Sequence, residues 1–318
     1  MDLSEFSKKR ILVVGDIMLD WYLDGKITRL NPEEPGAPEI DITNNKYVLG
    51  GAANVAANIA SLGGHASLLG VVGNDQYGKE IERLCKIYGI FPILLIDEKR
   101  PTTIKLRLMA GKRHIARASM EDRTPISECL EEKCASFLNG RRDDVILISD
   151  YNKGLLTQKV SKKIIEYSKR TNTLTLVDPK PENIMNFQEA DLICPNLEEA
   201  KKIVGNLADY EDIGKALKEK IDCKYALVTC GENGMFCYND NGFHRVNTVA
   251  KAVYDVSGAG DTVIASMALA LSSGYSIEGA MDIANHAAGI VVGKIGTATC
   301  SIDELTEAIK NEKQTRNS

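Results

Sequence analysis

The chain has 318 residues, 44% hydrophobic and 26% charged, a composition that supports a full core and excludes a disordered or fibrous protein. Its 39 Lys and Arg against 44 Asp and Glu give a net charge of −5, which argues against a nucleic-acid-binding surface. It contains no long apolar run, no signal-peptide pattern, no C-x-x-C pair among its eight cysteines and no clustered histidines. We therefore expect a cytoplasmic protein with reduced thiols, without a structural zinc site and without nucleic-acid or membrane partners.

Short apolar runs alternate with helical patterns along most of the chain. The predicted strands are 10–16, 67–73, 145–150, 173–178, 191–194 and 225–230, and the predicted helices include 52–62, 77–88, 158–169 and 197–204. Strands that alternate with helices form βαβ units, so the fold class is α/β, with a mostly parallel sheet covered on both faces. An antiparallel hairpin is predicted at 234–247, and two apolar helices follow it at 259–273 and 277–293.

Two stretches fit this core poorly. Residues 21–48 are polar and proline-containing, and 93–96 with 103–109 resemble a second strand pair. We predict that one domain spans 1–318, with a small β-flap, or lid, inserted from about 21–48 and 93–118. We also predict a loose tail at about 311–318.

The heptapeptide Asp255-Val-Ser-Gly-Ala-Gly-Asp261 comes directly before a predicted apolar helix. Gly258 and Gly260 let the backbone turn its amides toward one point at the helix N-terminus, where anions bind. A carboxylate beside an anion site makes sense if it removes a proton from a hydroxyl that attacks a phosphoryl group. Asp261 is therefore a candidate general base. The alternative is a glycine-rich turn in which Asp261 caps the helix.

Polar residues also follow the first strand and a glycine pair. Asp16 and Asp20 flank the end of that strand, where ligands of open α/β sheets bind. Gly50 and Gly51 permit close backbone approach, and Asn54 with Asp16 offers the donors and acceptors that a polyol needs. Turn chemistry and helix capping are the alternative explanation.

Three further groups of charged or amide side chains are candidates for phosphate chemistry. Asn196 and Glu199 lie three apart at a helix start, which suits a hydrated Mg²⁺ but equally a capping box. Lys105 and Arg107 share one strand face and could clamp a substrate phosphate, or could be an ordinary solvated face. The segments Asp150-Tyr-Asn-Lys153 and Asp178-Pro-Lys180 end strands at the functional edge, where their charges could also simply pair with each other.

In this order, the motifs resemble the ribokinase-like carbohydrate kinase family, also called the PfkB family, over about residues 10–305. Within it, the chain is most similar to the D-glycero-β-D-manno-heptose 7-phosphate kinases of lipopolysaccharide-core heptose synthesis. The segments that carry this similarity are Gly15-Asp-Ile-Met-Leu-Asp20, Arg29-Leu-Asn-Pro-Glu33, Gly50-Gly-Ala-Ala-Asn-Val-Ala56, Ser149-Asp-Tyr-Asn-Lys-Gly154, Val253-Tyr-Asp-Val-Ser-Gly-Ala-Gly-Asp-Thr262 and Val291-Val-Gly-Lys-Ile-Gly-Thr297. Such kinases are often fused to an adenylyltransferase domain, and the 318 residues contain the kinase region alone.

The resemblance implies a ribokinase-like fold and transfer of the ATP γ-phosphoryl group to O1 of the heptose 7-phosphate. It makes Asp261 the base and the amides of Gly258, Ala259 and Gly260 the stabilisers of the moving phosphoryl group. It assigns ATP and Mg²⁺ to Asn196, Glu199 and Asn285, sugar contacts to Asp16, Asp20, Gly50, Gly51, Asn54, Asp150 and Lys153, and the 7-phosphate to Lys105 and Arg107. A monovalent cation such as K⁺ and a homodimer formed through the flap are further expectations. The alternatives are a PfkB-type kinase for another sugar or sugar phosphate and a non-catalytic sugar-binding protein.

Overall fold

The computed structural model describes residues 2–34, 36–111, 113–250 and 253–316, with the backbone alone for 313–316. Its strands are β1 (Arg10–Gly15), β2 (Ile17–Leu30), β3 (Pro38–Gly51), β4 (His65–Gly73), β5 (Phe91–Asp97), β6 (Ile104–Ala110), β7 (Arg113–Met120), β8 (Val145–Ser149), β9 (Leu174–Asp178), β10 (Leu192–Ile193), β11 (Tyr225–Thr229), β12 (Met235–Asn239) and β13 (Gly242–Val246). Its α-helices are α1 (Ala52–Ser61), α2 (Gln76–Ile87), α3 (Glu128–Leu138), α4 (Gln158–Thr171), α5 (Leu197–Val204), α6 (Tyr210–Ile221), α7 (Ala259–Ser272), α8 (Ile277–Val291) and α9 (Ile302–Arg316). Helices α3, α6 and α9 were not among the predicted elements.

A large sheet forms the centre of the described chain, in the strand order β13-β12-β11-β10-β9-β8-β1-β4-β5. Its strands run parallel except for the hairpin β12–β13 at one edge. One apolar layer includes side chains of α1, α2, α7 and α8, and the other includes side chains of α3 to α6. Strand β8 is therefore buried along its whole length, as expected for a parallel strand covered on both faces. The predicted mostly parallel α/β sheet and the hairpin are confirmed.

Helix α7 brings the candidate base to the sheet. It is buried from Asp261 to Ala270 because it packs against α1 and α8 and contacts β8 and β9. A helix that is apolar on nearly every side belongs in the middle of a core. Its first turn is consequently held at a fixed position beside the sheet.

A second sheet, which we call the flap, contains four strands in the order β3-β2-β6-β7. Strands β2 and β6 are parallel, whereas β2–β3 and β6–β7 are antiparallel. The prediction that 93–96 belongs to the flap is wrong, because β5 pairs with β4 in the large sheet. Ile93 and Leu95 alternate inward toward the α3 layer, and this two-residue period does not distinguish an edge strand of one sheet from a strand of the other.

The chain end also differs from the prediction of a loose tail at 311–318. Residues 311–316 continue α9, and 317–318 lie outside the described residues, as do Pro35 and Lys112 within the predicted flap. Among the described residues, no helix combines the length and the apolar character needed to cross a bilayer.

Gly51 is required where β3 meets β2, because its φ is +56° and a Cβ there would lie 2.5 Å from the carbonyl oxygen of Asp16. Gly205 has a φ of +94° but open space around it, which makes it a matched control. We expect Gly205→Ala to lower the free energy of unfolding by roughly 1–3 kcal/mol through backbone strain alone. Gly51→Ala should cost about 2 kcal/mol more, because the strands must also separate. Urea denaturation measures both, and equal losses would contradict the close approach.

Candidate active site

The loop that follows β8 wraps around the side chain of Asp16. Because β1 and β8 are parallel and in register, Gly15 opposite Ser149, the residues after both strands meet at one edge of the sheet. Asp16 is 4% exposed, and its Oδ2 accepts hydrogen bonds from the amides of Tyr151 (2.9 Å) and Lys153 (3.0 Å). Burial raises the pKa of Asp16 to about 6, and these amides oppose that effect. Asp16 thus lies where predicted and fixes the loop as well.

The carboxylate of Asp261 lies in the first turn of α7 with both oxygens hydrogen-bonded. Oδ2 accepts from Nδ2 of Asn54 (2.7 Å) and Oδ1 from the hydroxyl of Tyr151 (2.8 Å). Burial raises its pKa to about 6, although the two hydrogen bonds act in the opposite direction. The helix-cap alternative is wrong, because Gly258 is the N-cap and no side-chain cap exists. A fixed carboxylate that is ionised at neutral pH can act as a general base.

The glycine turn before Asp261 places backbone amides at the N-terminus of α7. Gly258 has a φ of +81°, and a Cβ there would lie 2.7 Å from Nδ2 of Asn54, so only glycine fits. A Cβ on Gly260 would meet no atom within 4 Å, which leaves room for a ligand against its backbone. The amide of Ala259 was expected to face the phosphoryl group, but it donates to the carbonyl of Val256 (3.2 Å) and closes the turn. The amides of Gly258 and Gly260 remain to face an anion.

Asp20 and Arg107 form a buried ion pair between β2 and β6. Nη1 of Arg107 lies 2.6 Å from Oδ1 of Asp20, and the hydroxyl of Thr297 donates to Oδ2 (2.8 Å). The guanidinium also lies 5.1 Å from the ring centre of Tyr22. One buried carboxylate already matches the charge of Arg107, and its expected phosphate contact stays a prediction. Asp20 likewise joins the flap to the segment after α8 rather than standing free for a sugar.

Lys105 belongs to a different cluster, centred on Glu121 directly after β7. Glu121 accepts a hydrogen bond from Nζ of Lys105, and its Oε1 accepts two from Arg123, from Nη2 at 2.6 Å and from Nε at 2.9 Å. Nζ of Lys153 lies 3.0 Å from Oε2 of Glu121. Burial alone would raise the pKa of Glu121, but the three cations outweigh it and lower the pKa to about 2. The three cations together carry two more positive charges than the one carboxylate can match. Glu121 and Arg123 were not among the site residues predicted from the sequence, because no local motif indicates that Glu121 pairs with Lys105 and Lys153.

Asn196 and Glu199 form the capping box that was the alternative to a magnesium site. Oδ1 of Asn196 accepts from the amide of Glu199 (2.9 Å), and Oε2 of Glu199 accepts from the amide of Asn196 (3.0 Å). Nζ of Lys180 donates to Oε1 of Glu199 (2.5 Å). These oxygens already have protein partners, so the pair suits a cation held through water rather than one bound directly. Within the described ranges, no group of three or more His, Cys, Asp or Glu could hold a metal ion.

Asp150 and Asn285, two of the predicted ligand-binding residues, each hold a loop in place through hydrogen bonds. Asp150 is 1% exposed and accepts hydrogen bonds from the amides of Asn152 and Lys180, and its sugar contact stays a prediction. Nδ2 of Asn285 donates to the carbonyl of Asn247 (2.7 Å), which ties α8 to the end of the hairpin. An adenine contact of Asn285 stays a prediction.

Gly50 and Gly51 end β3 beside this site. A Cβ on Gly50 would lie 2.9 Å from Cγ of Met18 and 3.1 Å from the carboxylate of Asp20. Both glycines therefore serve close packing of β3 on β2, and direct sugar contact by their backbone stays a prediction.

Curated relatives resemble almost the whole chain. The bifunctional protein HldE of Wolinella succinogenes is 38% identical over 321 residues, which cover 99% of this chain and 67% of that protein. HldE of Sulfurimonas denitrificans is 40% identical over 305 residues, with coverage of 94% and 64%. The chain thus spans about two thirds of the length of these relatives.

Solved structures with low sequence identity share the fold. Phosphofructokinase-2 of Escherichia coli, in complex with potassium, has a TM-score of 0.79 at 18% identity over 94% of this chain and 97% of that one. The ribokinase of Arabidopsis thaliana, complexed with ribose and ATP, has a TM-score of 0.72 at 19% identity over 95% and 99%. The expected ribokinase-like fold is confirmed.

A family model described as pfkB family carbohydrate kinase matches residues 8–304. This match covers the large sheet, the flap and the glycine turn with its buried carboxylate. Together with relatives that are 38–40% identical over nearly the whole chain, it confirms the resemblance inferred from the motifs. The chain belongs to the pfkB family of carbohydrate kinases.

Proposed function

We propose that this chain transfers the γ-phosphoryl group of ATP to O1 of D-glycero-β-D-manno-heptose 7-phosphate, which gives the 1,7-bisphosphate for ADP-heptose and lipopolysaccharide-core synthesis. The observation that carries this proposal is the Asp261 carboxylate, fixed by Asn54 and Tyr151 beside the glycine turn at the start of α7. A base next to an anion-binding helix N-terminus is the arrangement that phosphoryl transfer to a hydroxyl needs. The choice of heptose rests on the segments that resemble heptose 7-phosphate kinases and on the HldE relatives.

In this reaction Asp261 takes the proton of the O1 hydroxyl. The bond between O1 and the γ-phosphorus forms while the bond from that phosphorus to the ADP oxygen breaks. With a pKa of about 6, the carboxylate is ionised at neutral pH and ready to accept a proton. The amides of Gly258 and Gly260 and the positive end of α7 stabilise the charge on the moving phosphoryl group.

We place the 7-phosphate of the substrate at the Glu121 cluster. A phosphate monoester carries close to two negative charges at neutral pH, which match the excess of two positive charges on Lys105, Lys153 and Arg123. The amide of Lys153 also binds Asp16, so this cluster adjoins the carboxylate expected to hold sugar hydroxyls. This assignment replaces the one that paired Lys105 with Arg107.

The remaining expectations concern ions and assembly. Asn196 and Glu199 would hold Mg²⁺ through water, and Mg²⁺ supplies charge neutralisation for the phosphates of ATP when it is bound. Potassium stays a proposal, as does the homodimer through the flap. Exposed Ile27, Leu30 and Ile42 on β2 and β3 support that flap interface, because they leave apolar surface in water.

Release of ADP from Mg·ATP in the presence of K⁺ tests the reaction. D-glycero-D-manno-heptose 7-phosphate, ribose, fructose 6-phosphate and adenosine are each supplied as the acceptor in a separate assay. We expect strong turnover on the heptose alone and a new anomeric phosphate by ³¹P NMR. Turnover on another acceptor would keep the chemistry and overturn the substrate. Folded protein that binds ATP but is inactive with every acceptor would favour the non-catalytic alternative.

Asp261→Asn keeps the shape of the base and removes its charge, so kcat should fall by roughly three orders of magnitude or more.

The same substitution should change the pH dependence of stability. Because burial raises the pKa of Asp261 from 3.8 to about 6, the native state disfavours the ionised form, and the free energy of unfolding falls as pH rises through this range. The Asn variant should therefore be more stable than the wild type at about pH 8, by on the order of 3 kcal/mol, and equal at about pH 4. Exposed Asp240→Asn is the control for both measurements. Near-wild-type turnover of Asp261→Asn would remove the residue from its role.

Lys105→Met and Lys153→Met should each raise KM for the phosphorylated sugar by about ten-fold, because each removes one charged hydrogen bond to the phosphate. KM for ATP should stay within about two-fold of the wild type, and Lys162→Met on the exposed face of α4 should change neither constant. Steady-state kinetics with the heptose and its 7-phosphate separate the cases. An equal rise for the unphosphorylated heptose would contradict the phosphate assignment.

A further inference from the structure

We propose that Tyr151 is the positioning residue for the general base, and that its hydroxyl aims the Asp261 carboxylate and holds it in the ionised form. This inference rests on the proposed function, because it requires that Asp261 be the base. In the sequence, the charged neighbours Asp150 and Lys153 are the candidates in this segment, and the pattern assigns the tyrosine itself no role.

Three contacts fix Tyr151 between the parts of the site. Its amide donates to Oδ2 of Asp16 (2.9 Å), its hydroxyl donates to Oδ1 of Asp261 (2.8 Å), and its ring centre lies 5.3 Å from Nζ of Lys180. Lys180 in turn binds Glu199 at the start of α5. One residue, through its backbone amide, hydroxyl and ring, therefore connects the carboxylate on the sugar side, the base and the cation next to the expected magnesium position.

The hydroxyl of Tyr151 can act only as a donor toward Asp261. Burial and the charge of Asp261 raise the pKa of Tyr151 well above its ordinary value, so the proton stays on the tyrosine throughout the working pH range. A hydrogen bond donated to the charged form of an acid stabilises that form. Loss of the hydroxyl would therefore make Asp261 harder to ionise.

Other charges also face the base, and they define what the hydroxyl must counteract. Asp20 on β2 disfavours a further negative charge at Asp261, whereas Lys180 favours it. At the end of β9, burial and the charge of Asp261 raise the pKa of Asp178 well above its ordinary value. Asn54 on α1 supplies the second donor, to the other carboxylate oxygen. Against burial and the like charge of Asp20, the two hydrogen bonds favour the ionised form of Asp261 and hold the plane of its carboxylate in one orientation.

Tyr151→Phe tests the hydroxyl alone, because the amide contact to Asp16 and the ring beneath Lys180 are retained. The readout is the pH profile of kcat/KM with whichever acceptor is turned over. The base works when ionised, and removal of a donor raises its pKa, so the acidic limb should move upward from about pH 6 by about one pH unit. On the high-pH plateau, kcat should fall by about ten-fold, since the carboxylate is less well aimed.

Tyr167→Phe is the matched control, because the hydroxyl of Tyr167 also makes a 2.8 Å hydrogen bond, to the carbonyl of Arg141, on the opposite side of the sheet. It should leave the acidic limb in place. An acidic limb of Tyr151→Phe that coincides with that of the wild type overturns the proposal, whatever happens to kcat. Asp261→Asn, assayed in parallel, separates the two claims: if it stays active the proposed function fails, and if it is inactive while Tyr151→Phe is unchanged only the role of Tyr151 fails.

Discussion

The hydrogen bonds from the loop after β8 to the buried Asp16 carboxylate are the interaction on which the site depends. Parallel pairing of β1 with β8 ends both strands at the same level, so a short aspartate side chain reaches the amides of Tyr151 and Lys153. The side chains of these two residues then diverge, one to Asp261 and the other to Glu121. The same loop thus positions the proposed base and one wall of the proposed phosphate site, and a shift of Asp16 would move both.

Concentrating carboxylates at this edge is unfavourable for folding. Burial raises the pKa of Asp16 and Asp261 to about 6 and that of Asp178 well above its ordinary value, so each would be more easily ionised in the unfolded chain. The fold offsets this with donors, which are backbone amides for Asp16 and the side chains of Asn54 and Tyr151 for Asp261. The same unfavourable burial gives the proposed base, Asp261, a pKa of about 6, which is close to neutral pH.

The sequence predicts those parts of the molecule in which local pattern and function coincide. The parallel sheet follows from apolar runs between helices. The place of Asp261 in the first turn of α7 follows from the glycine turn before it, and its role as the base stays a prediction. Pairing between residues distant in the sequence is not predicted by local pattern. Arg107 pairs with Asp20, which is 87 positions away, and Lys153, after β8 of the large sheet, pairs with Glu121, after β7 of the flap. Strand β5 was assigned to the flap because its two-residue alternation is the same in either sheet.

A comparison of Lys105 with Arg107 shows that a cation is available to an anionic ligand only where neighbouring carboxylates do not already match its charge. The two side chains are two positions apart on β6, and alternation places both on one face. Arg107 is matched one to one by a buried carboxylate that Thr297 also holds, so a phosphate there would have to break an ion pair in a poorly hydrated place. Lys105 instead shares Glu121 with two other cations, so positive charge remains there that the one carboxylate does not match. Sequence spacing fixes the face, but only the partners from β2 and from the segment after β7 decide which cation is available to a ligand.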